Sequence, residues 1–262
     1  MRSPFRKLSQ ALSIIGIDPY RFYQAAVAFP YFFKTAVEYS IKAKQSPFPL
    51  SLRDMVPMLH DRFESAGNYG QYFYGDLWAA RKIYAAGPAS HIDVGSRIDG
   101  LIAHLLTFME VTVIDIRPLN SVIPGLSFIQ EDATKLGGIL DGSVESVSSL
   151  HVVEHFGLGR YGDSIEPDAC FRAMRSLARI LKPNGTLYLG VPIGSQRVSF
   201  NAHRVFCPTT VLNVFSDLEL VSFAAVDDTD CFRVDAKPEF FIGAANSLGL
   251  YEFKKPKEVS EQ

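Results

Sequence analysis

From residue 90 onward, short apolar segments alternate with segments of helical spacing, and this alternation constrains the fold more than any other feature. Seven segments have the length and composition of strands: 91–94, 111–115, 126–129, 144–150, 186–191, 218–226 and 248–253. Helices are predicted at 76–86, 101–108, 168–181 and 209–215. Strands that alternate with helices form parallel sheets covered on both faces. We therefore predict an α/β fold with a doubly wound, mostly parallel sheet of seven strands, in which the last two strands form an antiparallel hairpin at the edge.

The first 49 residues predict a helical N-terminal extension ahead of a domain at 50–262. Apolar side chains recur every three or four residues between Phe22 and Ile41, which places them on one helix face. Pro30 is expected to kink or divide this helix, and the Ser-Pro-Phe-Pro segment that follows is expected to end it. A short helix is expected at 50–64.

Charge is distributed unevenly along the chain. The first 44 residues contain seven Lys or Arg and two acids, a net charge of +5, whereas the rest of the chain has a net charge of −7. A basic, aromatic leader suggests contact with a membrane surface, an anionic partner or a glycosyltransferase; the alternative is a docking helix with a solvated basic face. The overall net charge of −2 gives no reason to expect nucleic-acid binding.

The cysteines and the apolar runs indicate in which cellular compartment the protein is expected. Cys170, Cys207 and Cys231 are odd in number and far apart, which argues against a disulfide framework and against a zinc site. The longest early apolar run is about half the roughly 20 residues that a spanning helix needs, and no secretory signal pattern is recognised. We expect a cytoplasmic protein, with a peripheral position at the inner membrane face as an alternative.

Small and acidic residues follow three successive predicted strands. In an open α/β sheet, ligands bind outside the carboxyl ends of the strands, and an acid after the second strand commonly accepts hydrogen bonds from ribose hydroxyls. Taken singly, such residues are often helix caps or solvated turns; three in register favour a binding site. The predicted cofactor-binding residues are Asp93, Gly95, Ser96, Gly100, Asp115, Asp132, Ala133 and His151.

The order of five motifs resembles that of class I S-adenosylmethionine-dependent methyltransferases. The motifs are IDVGS at 92–96, VID at 113–115, EDA at 131–133, HVVEH at 151–155 and LKPNGTL at 181–187. The resemblance covers roughly residues 65–255 and looks closest to a domain-of-unknown-function family of methyltransferase-like proteins, whose bacterial members often accompany glycan-synthesis enzymes.

The resemblance implies a Rossmann-like fold with S-adenosylmethionine as cofactor. Asp93, Gly95 and Ser96 would flank its methionine part, Asp115 its ribose, and Asp132 with Ala133 its adenine. The chain departs from the family's Asp-x-Gly-x-Gly-x-Gly loop, because Arg97 and Asp99 stand at the second and third glycine positions and Gly100 comes one residue late. A side chain at residue 97 limits how closely the backbone approaches a cofactor.

Methyl transfer is a direct displacement that often requires a base to take a proton from the acceptor. His155 and His203 are the predicted catalytic residues, since imidazole suits this task near pH 7. The alternatives are that the Glu154–His155 pair braces a helix and that His203 orders a loop or binds substrate charge. No metal is expected, because His151 and His155 lack the His-Glu-x-x-His order.

The acceptor follows from the resemblance. We expect O-methylation of a glycan or glycolipid intermediate, and the loop at 157–163 offers Arg160, Tyr161 and Asp163 for sugar binding unless it is a plain surface loop. The alternatives are a catalytically inactive scaffold in a glycan-synthesis complex and a methyltransferase of small metabolites or lipids.

Overall fold

The computed structural model describes residues 12, 16–63, 67, 70–200 and 202–257. Two compact units divide the chain, residues 1–68 and residues 69–262. Residues 1–11 and 13–15 of the expected N-terminal extension lie outside the described part. The boundary expected after residue 49 stays a prediction.

One long helix dominates the N-terminal unit. Helix α1 spans Pro19–Lys42 and begins at Asp18, whose Oδ1 accepts hydrogen bonds from the Tyr20 and Arg21 amides at 3.0 and 3.1 Å. It runs through Pro30 without a break, so the predicted division is wrong. A proline removes one backbone hydrogen bond of the helix. The 24-residue helix nevertheless continues on both sides of Pro30.

Short 3₁₀ turns complete the unit. They lie at Ala43–Gln45, Leu52–Asp54 and Asp61–Phe63. The last two stand where a single helix was expected at 50–64, a prediction that is therefore wrong for the described residues. Among the residues that the structure describes, no helix is both long enough and apolar enough to cross a membrane.

A mixed sheet of eight strands forms the centre of the second unit. Its strands are β1 (Ile92–Val94), β2 (Val111–Asp115), β3 (Leu126–Gln130), β4 (Val144–Leu150), β5 (Leu181–Ile193), β8 (Glu219–Val226), β9 (Phe232–Arg233) and β10 (Ser247–Lys254). They lie in the order β3-β2-β1-β4-β5-β10-β8-β9, and the first five are parallel. Strands β6 (Arg197–Ser199) and β7 (His203–Val205) form a separate hairpin. The predicted Rossmann-like α/β class is confirmed.

The C-terminal strand differs from the prediction in its position. It pairs antiparallel with β8, as expected for a hairpin, but also antiparallel with β5, so it lies inside the sheet, and the two-residue β9 covers the outer edge. The residues from Ser247 to Tyr251 are all buried. A strand buried on both faces belongs at the centre of a sheet, where both edges of its backbone are paired.

Helices cover both faces of the sheet. On one face lie α2 (Gln71–Ala86) and α3 (Ala103–Leu105), the latter preceded by a π-helical turn at Ile98–Ile102. On the other lie α4 (Ala169–Ile180) and α5 (Pro208–Val214). An apolar cluster lies between the sheet and the helices on each face, so the unit has three layers, helices–sheet–helices. This arrangement leaves the carboxyl ends of β1 to β4 open for a site.

Candidate functional site

A cavity of about 280 Å³ lies at the carboxyl ends of the parallel strands. Parallel strands end at the same edge of a sheet, which is why residues far apart in sequence meet there. Six of the predicted residues line it: Gly95, Asp115, Asp132, Ala133, His151 and His155. Four others do not: Asp93, Ser96, Gly100 and His203.

Asp93 lies beneath the cavity and is fully buried. Its Oδ1 accepts the Ser96 amide at 2.9 Å, and its Oδ2 accepts the hydroxyls of Ser96 and Ser148 at 2.7 and 2.5 Å. The Ser96 hydroxyl oxygen in turn accepts the Leu150 amide at 3.0 Å. Burial raises the pKa of Asp93 to about 6. The Asp93 carboxylate therefore ties the turn after β1 to β4 and orients the loop.

The two glycines of this loop make room for protein atoms. Gly95 has a φ of 75°, and a Cβ there would stand 2.6 Å from a Val152 methyl carbon. A Cβ on Gly100 would collide with the carboxylate of Asp76. Burial, and then the neighbouring Asp93, raise the pKa of Asp76 to about 6. Close packing of the loop explains both glycines.

Arg97, which replaces a glycine of the family pattern, points away from the cavity. Its guanidinium binds the Asp99 carboxylate through two hydrogen bonds, of 2.9 Å from Nε and 2.5 Å from Nη2, and both side chains are exposed. The same guanidinium lies 5.4 Å from the ring centroid of Tyr72. The two substituted positions thus pair with each other at the surface and leave the cavity open.

Asp115 is held by an arginine that the sequence reasoning missed. The Arg117 guanidinium donates to both carboxylate oxygens, at 3.0 Å from Nε and 2.6 Å from Nη2, and the Arg117 amide adds a bond of 2.8 Å. Both side chains line the cavity, and Arg117 also lies 5.0 Å over the Tyr161 ring. A hydroxyl ligand at Asp115 must therefore share the carboxylate with Arg117 or displace it. A cation two residues after a strand-end acid is the signal that would have found it.

Asp132 shapes the turn after β3. Its Oδ1 accepts the Thr134 amide at 2.9 Å and the Thr134 hydroxyl at 2.7 Å, and its Oδ2 lies 3.7 Å from the Lys135 ammonium. Ala133, next to it, is nearly buried and lines the cavity together with Asp132. This turn supplies a small, partly polar wall.

His151 holds an unusual backbone conformation at the end of β4. Its φ is 57°, in the left-handed region, and its ring stacks on Tyr72 with centroids 4.2 Å apart. Burial, reinforced by His155, lowers the pKa of His151 to about 4, so the ring is neutral at pH 7. Within the described part of the chain, its Nε2 has no hydrogen-bond partner.

Glu154 is buried between two histidines. Its Oε1 lies 4.0 Å from the His151 Nδ1 and 3.7 Å from the His155 Nε2, too far for hydrogen bonds. Burial raises the pKa of Glu154 to about 8, so the carboxyl is mostly protonated and uncharged at pH 7. Its Oε2 has no partner among the residues that the structure describes.

His155 faces the cavity with a defined tautomer. Its Nδ1 lies 2.7 Å from the Ala202 carbonyl oxygen and therefore carries the proton, which leaves a lone pair on Nε2. Burial lowers the pKa of His155, and the nearby positive charge of Arg160 lowers it further. His203 itself lies half-buried in β7 and away from the cavity wall. His155 is thus the better placed of the two predicted bases.

The loop at 157–163 is held by its own acid. Asp163 accepts the amides of Gly157, Gly159 and Tyr161 at 2.7, 3.3 and 3.2 Å. Arg160 donates to the Ala202 carbonyl at 2.9 Å. Tyr161 lines the cavity and meets the His155 ring edge-on, with centroids 5.8 Å apart. Of the three residues proposed for sugar binding, Tyr161 and Asp163 line the cavity and Arg160 does not; the Asp163 carboxylate is already occupied by the loop amides.

Comparisons of the sequence with known families and curated proteins give one partial match. A family described as Caenorhabditis protein of unknown function, DUF268, matches residues 127–239. No curated protein matches the sequence.

Solved structures match over most of the chain. A Burkholderia thailandensis 1,6-didemethyltoxoflavin-N1-methyltransferase, crystallised with S-adenosylhomocysteine, is 14% identical over 88% of this chain and 91% of its own, with a TM-score of 0.52. The (4+2)-cyclase SpnF is 13% identical over 89% of this chain and 96% of its own, with a TM-score of 0.50. At such identities the similarity shows a shared fold alone, the Rossmann-like methyltransferase fold.

Proposed function

We propose that this protein is a methyltransferase that uses S-adenosylmethionine. One observation carries the proposal: a single cavity at the carboxyl ends of the strands joins Asp115, the Asp132–Ala133 turn and a neutral His155. Side chains that could bind a ligand and take a proton lie side by side, which supports an enzyme that must align a cofactor with an acceptor.

The lining residues fit this cofactor. The Asp115 carboxylate would accept hydrogen bonds from ribose hydroxyls, the Asp132–Ala133 turn would border the adenine, and the Gly95 backbone would border the methionine part. The cavity volume of about 280 Å³ is near the lower end for ligand sites. When bound, the cofactor supplies a methyl group on a positively charged sulfur.

His155 is the proposed general base. Its Nδ1 proton is held by the Ala202 carbonyl, so the Nε2 lone pair is available to take a proton from an acceptor hydroxyl. The uncharged Glu154 carboxyl next to Nε2 does not draw a proton onto the resting imidazole.

The proposed acceptor is a hydroxyl of a glycan or glycolipid intermediate. Support comes from the family resemblance and from Tyr161, whose ring at the cavity wall would stack on a sugar. The Arg160 and Asp163 side chains are engaged within the protein, which leaves few groups for recognising a sugar hydroxyl by hydrogen bonds. A small metabolite or a lipid is the competing acceptor.

A catalytically inactive scaffold is the second candidate function. The observation in its favour is that Arg117 occupies the carboxylate on which ribose binding would depend, while Arg97 and Asp99 replace two glycines. The similarity to the cyclase SpnF also illustrates that a fold does not fix a reaction.

Calorimetry with S-adenosylhomocysteine separates these candidates. The methyltransferase proposal expects saturable 1:1 binding that weakens when Asp115 is replaced by alanine. Circular dichroism on the same samples confirms that the protein is folded. A folded protein that binds no cofactor at millimolar concentration would establish the scaffold and refute the proposal.

Transfer of a radiolabelled methyl group to fractionated glycans, lipids and small molecules identifies the acceptor. The His155→Ala variant should lose about 100-fold or more in turnover while it keeps its cofactor affinity. His104→Ala, a change at an exposed histidine of α3, is the matched control and should leave turnover unchanged. If His203→Ala lowers turnover and His155→Ala does not, the assignment of the base passes to His203.

A further inference from the structure

Helix α1 turns its larger apolar face towards solvent. At 100° per residue, seven large apolar side chains share this face, and all are exposed; Phe22, Val37 and Ile41 are exposed at 77%, 60% and 62%. The others are Tyr23, Val27, Phe29 and Phe33. A helix normally buries such a face, so a continuous apolar stripe of this length indicates an interaction surface.

The opposite face of the helix is where the unit packs on itself. Ala28 is buried there at 2% exposure, and Phe32 and Thr35 beside it are half-buried. Nearby, the Tyr39 hydroxyl donates to the Phe48 carbonyl at 2.9 Å. Within the described part of the chain, the face with the smaller residues is thus buried or half-buried and the aromatic face is exposed.

Charge identifies what covers the aromatic face. Lys34 lies at its flank, Arg21 and Lys42 lie near the two ends of the helix, and Lys44 follows. The first 44 residues have a net charge of +5, whereas the rest of the chain has −7. Of these cations only Lys34 borders the apolar face; Arg21 and Lys42 lie at the helix ends on the other side, and Lys42 pairs with Glu38. A helix with one apolar face in a segment of net positive charge complements a bilayer with anionic headgroups.

We propose that α1 binds in the plane of an anionic lipid bilayer, with its aromatic face in the interface and its cations among the headgroups. Phenylalanine and tyrosine are well suited to this depth, because the headgroup boundary accepts apolar rings and polar tips together. The interaction is independent of the proposed methyl transfer.

Vesicle flotation of the full chain tests the proposal. The protein should float with vesicles of 70% phosphatidylcholine and 30% phosphatidylglycerol, and much less with phosphatidylcholine alone. A triple variant, Phe22→Ser, Phe29→Ser and Phe33→Ser, should reduce the partition coefficient about tenfold or more. A control triple variant in the other unit, Val122→Ser, Leu140→Ser and Phe240→Ser, removes apolar groups that are even more exposed and should bind as the unmodified protein does.

A second variant tests the electrostatic part. Replacing Arg21, Lys34 and Lys42 by glutamine should weaken partition by roughly fivefold per cation at low salt, and raised salt should remove the difference. Equal partition of this variant and the unmodified chain would contradict the proposed role of the charges.

Other occupants of the face give different results. Absence of flotation by the unmodified protein, or unchanged flotation of the phenylalanine triple variant, overturns the proposal. So does concentration-dependent self-association that the triple variant abolishes in light scattering, which would assign the face to a second copy. A lowered melting temperature of the triple variant would show that the face packs against protein, and it would overturn the proposal as well.

Discussion

Asp93 and Asp115 lie at or near the carboxyl ends of neighbouring strands of one sheet, yet their carboxylates differ in burial and in hydrogen-bond partners. Asp93 is fully buried and accepts hydrogen bonds from the neutral groups of Ser96 and Ser148. Asp115 lies at the cavity wall and is bound by the flexible cation of Arg117. The first set of bonds is permanent and structural, whereas an arginine at a cavity wall can be exchanged for a ligand. Two similar acids thus separate into one that braces a loop and one that is a proposed ligand contact.

The largest expected effect is the loss of stability when Asp93, the acid that braces the loop, is replaced. Asp93→Ala leaves the Ser96 amide and two buried hydroxyls without their acceptor, so the free energy of unfolding should fall by about 3 kcal/mol at pH 7. Urea unfolding followed by circular dichroism measures this change. Asp115→Ala is the control and should lose about 1 kcal/mol or less, because its partner Arg117 is more than half exposed and ion pairs with an exposed partner contribute little. Equal losses would contradict the division of roles.

The pH dependence of stability sharpens the same contrast. Burial raises the pKa of Asp93 to about 6, above its ordinary value of 3.8, so the protonation-dependent part of its contribution to stability is full below 3.8 and is lost as pH rises through 6, whereas the hydrogen bonds that it accepts remain at pH 7. Asp93→Asn should remove a slope worth up to about 3 kcal/mol between pH 4 and 6. Asp76 retains a similar slope, since its pKa is also about 6. Unfolding curves of Asp93→Asn and of the unmodified protein at several pH values check this. An unchanged slope in Asp93→Asn would refute it.

The ligand contact should show itself in cofactor affinity. Asp115→Ala removes the acceptor for ribose hydroxyls and should weaken S-adenosylhomocysteine binding by about 30-fold, equivalent to roughly 2 kcal/mol. Titration calorimetry at pH 7 gives the value. An affinity within a factor of two of the unmodified protein would remove Asp115 from the binding site.

The smallest expected effect concerns the competing cation. Arg117→Ala frees the Asp115 carboxylate, so cofactor affinity should rise by about fivefold, roughly 1 kcal/mol. Arg172→Ala is the matched control, because Arg172 lines the same cavity but pairs with Glu166. A loss of affinity in Arg117→Ala would mean that the arginine binds the ligand directly.

The fold was predictable because its signals are local. Apolar runs of strand length, separated by helical spacing, mark the parallel sheet, and the helices at 168–181 and 209–215 were predicted to within about a residue of their bounds. The insertion of β10 between β5 and β8 was not predictable, since pairing of strands far apart in sequence leaves no local pattern. The turn at Ile98–Ile102 becomes π-helical around Gly100, which has non-helical φ and ψ angles.

The site was predictable to the level of strand ends but not of partners. The carboxyl ends of parallel strands must meet, and Asp115, Asp132 and His155 line one cavity there; their roles in binding and catalysis stay predictions. The sequence did not reveal that Ser148 would hold Asp93 below the cavity, because the two residues are 55 positions apart. Nor did it reveal the burial of Glu154, which depends on how the loops close over it.

The position of β10 also affects how the sheet can assemble during synthesis. Strands β5 and β8 do not touch in the sheet order, and both require residues 247–254 between them. Until the ribosome has released that segment, both strands keep an unpaired backbone edge, which is a template for aggregation. Chaperones that bind extended apolar segments are therefore expected to hold the nascent chain longest at this point, and ribosome profiling of chaperone-bound chains would locate it.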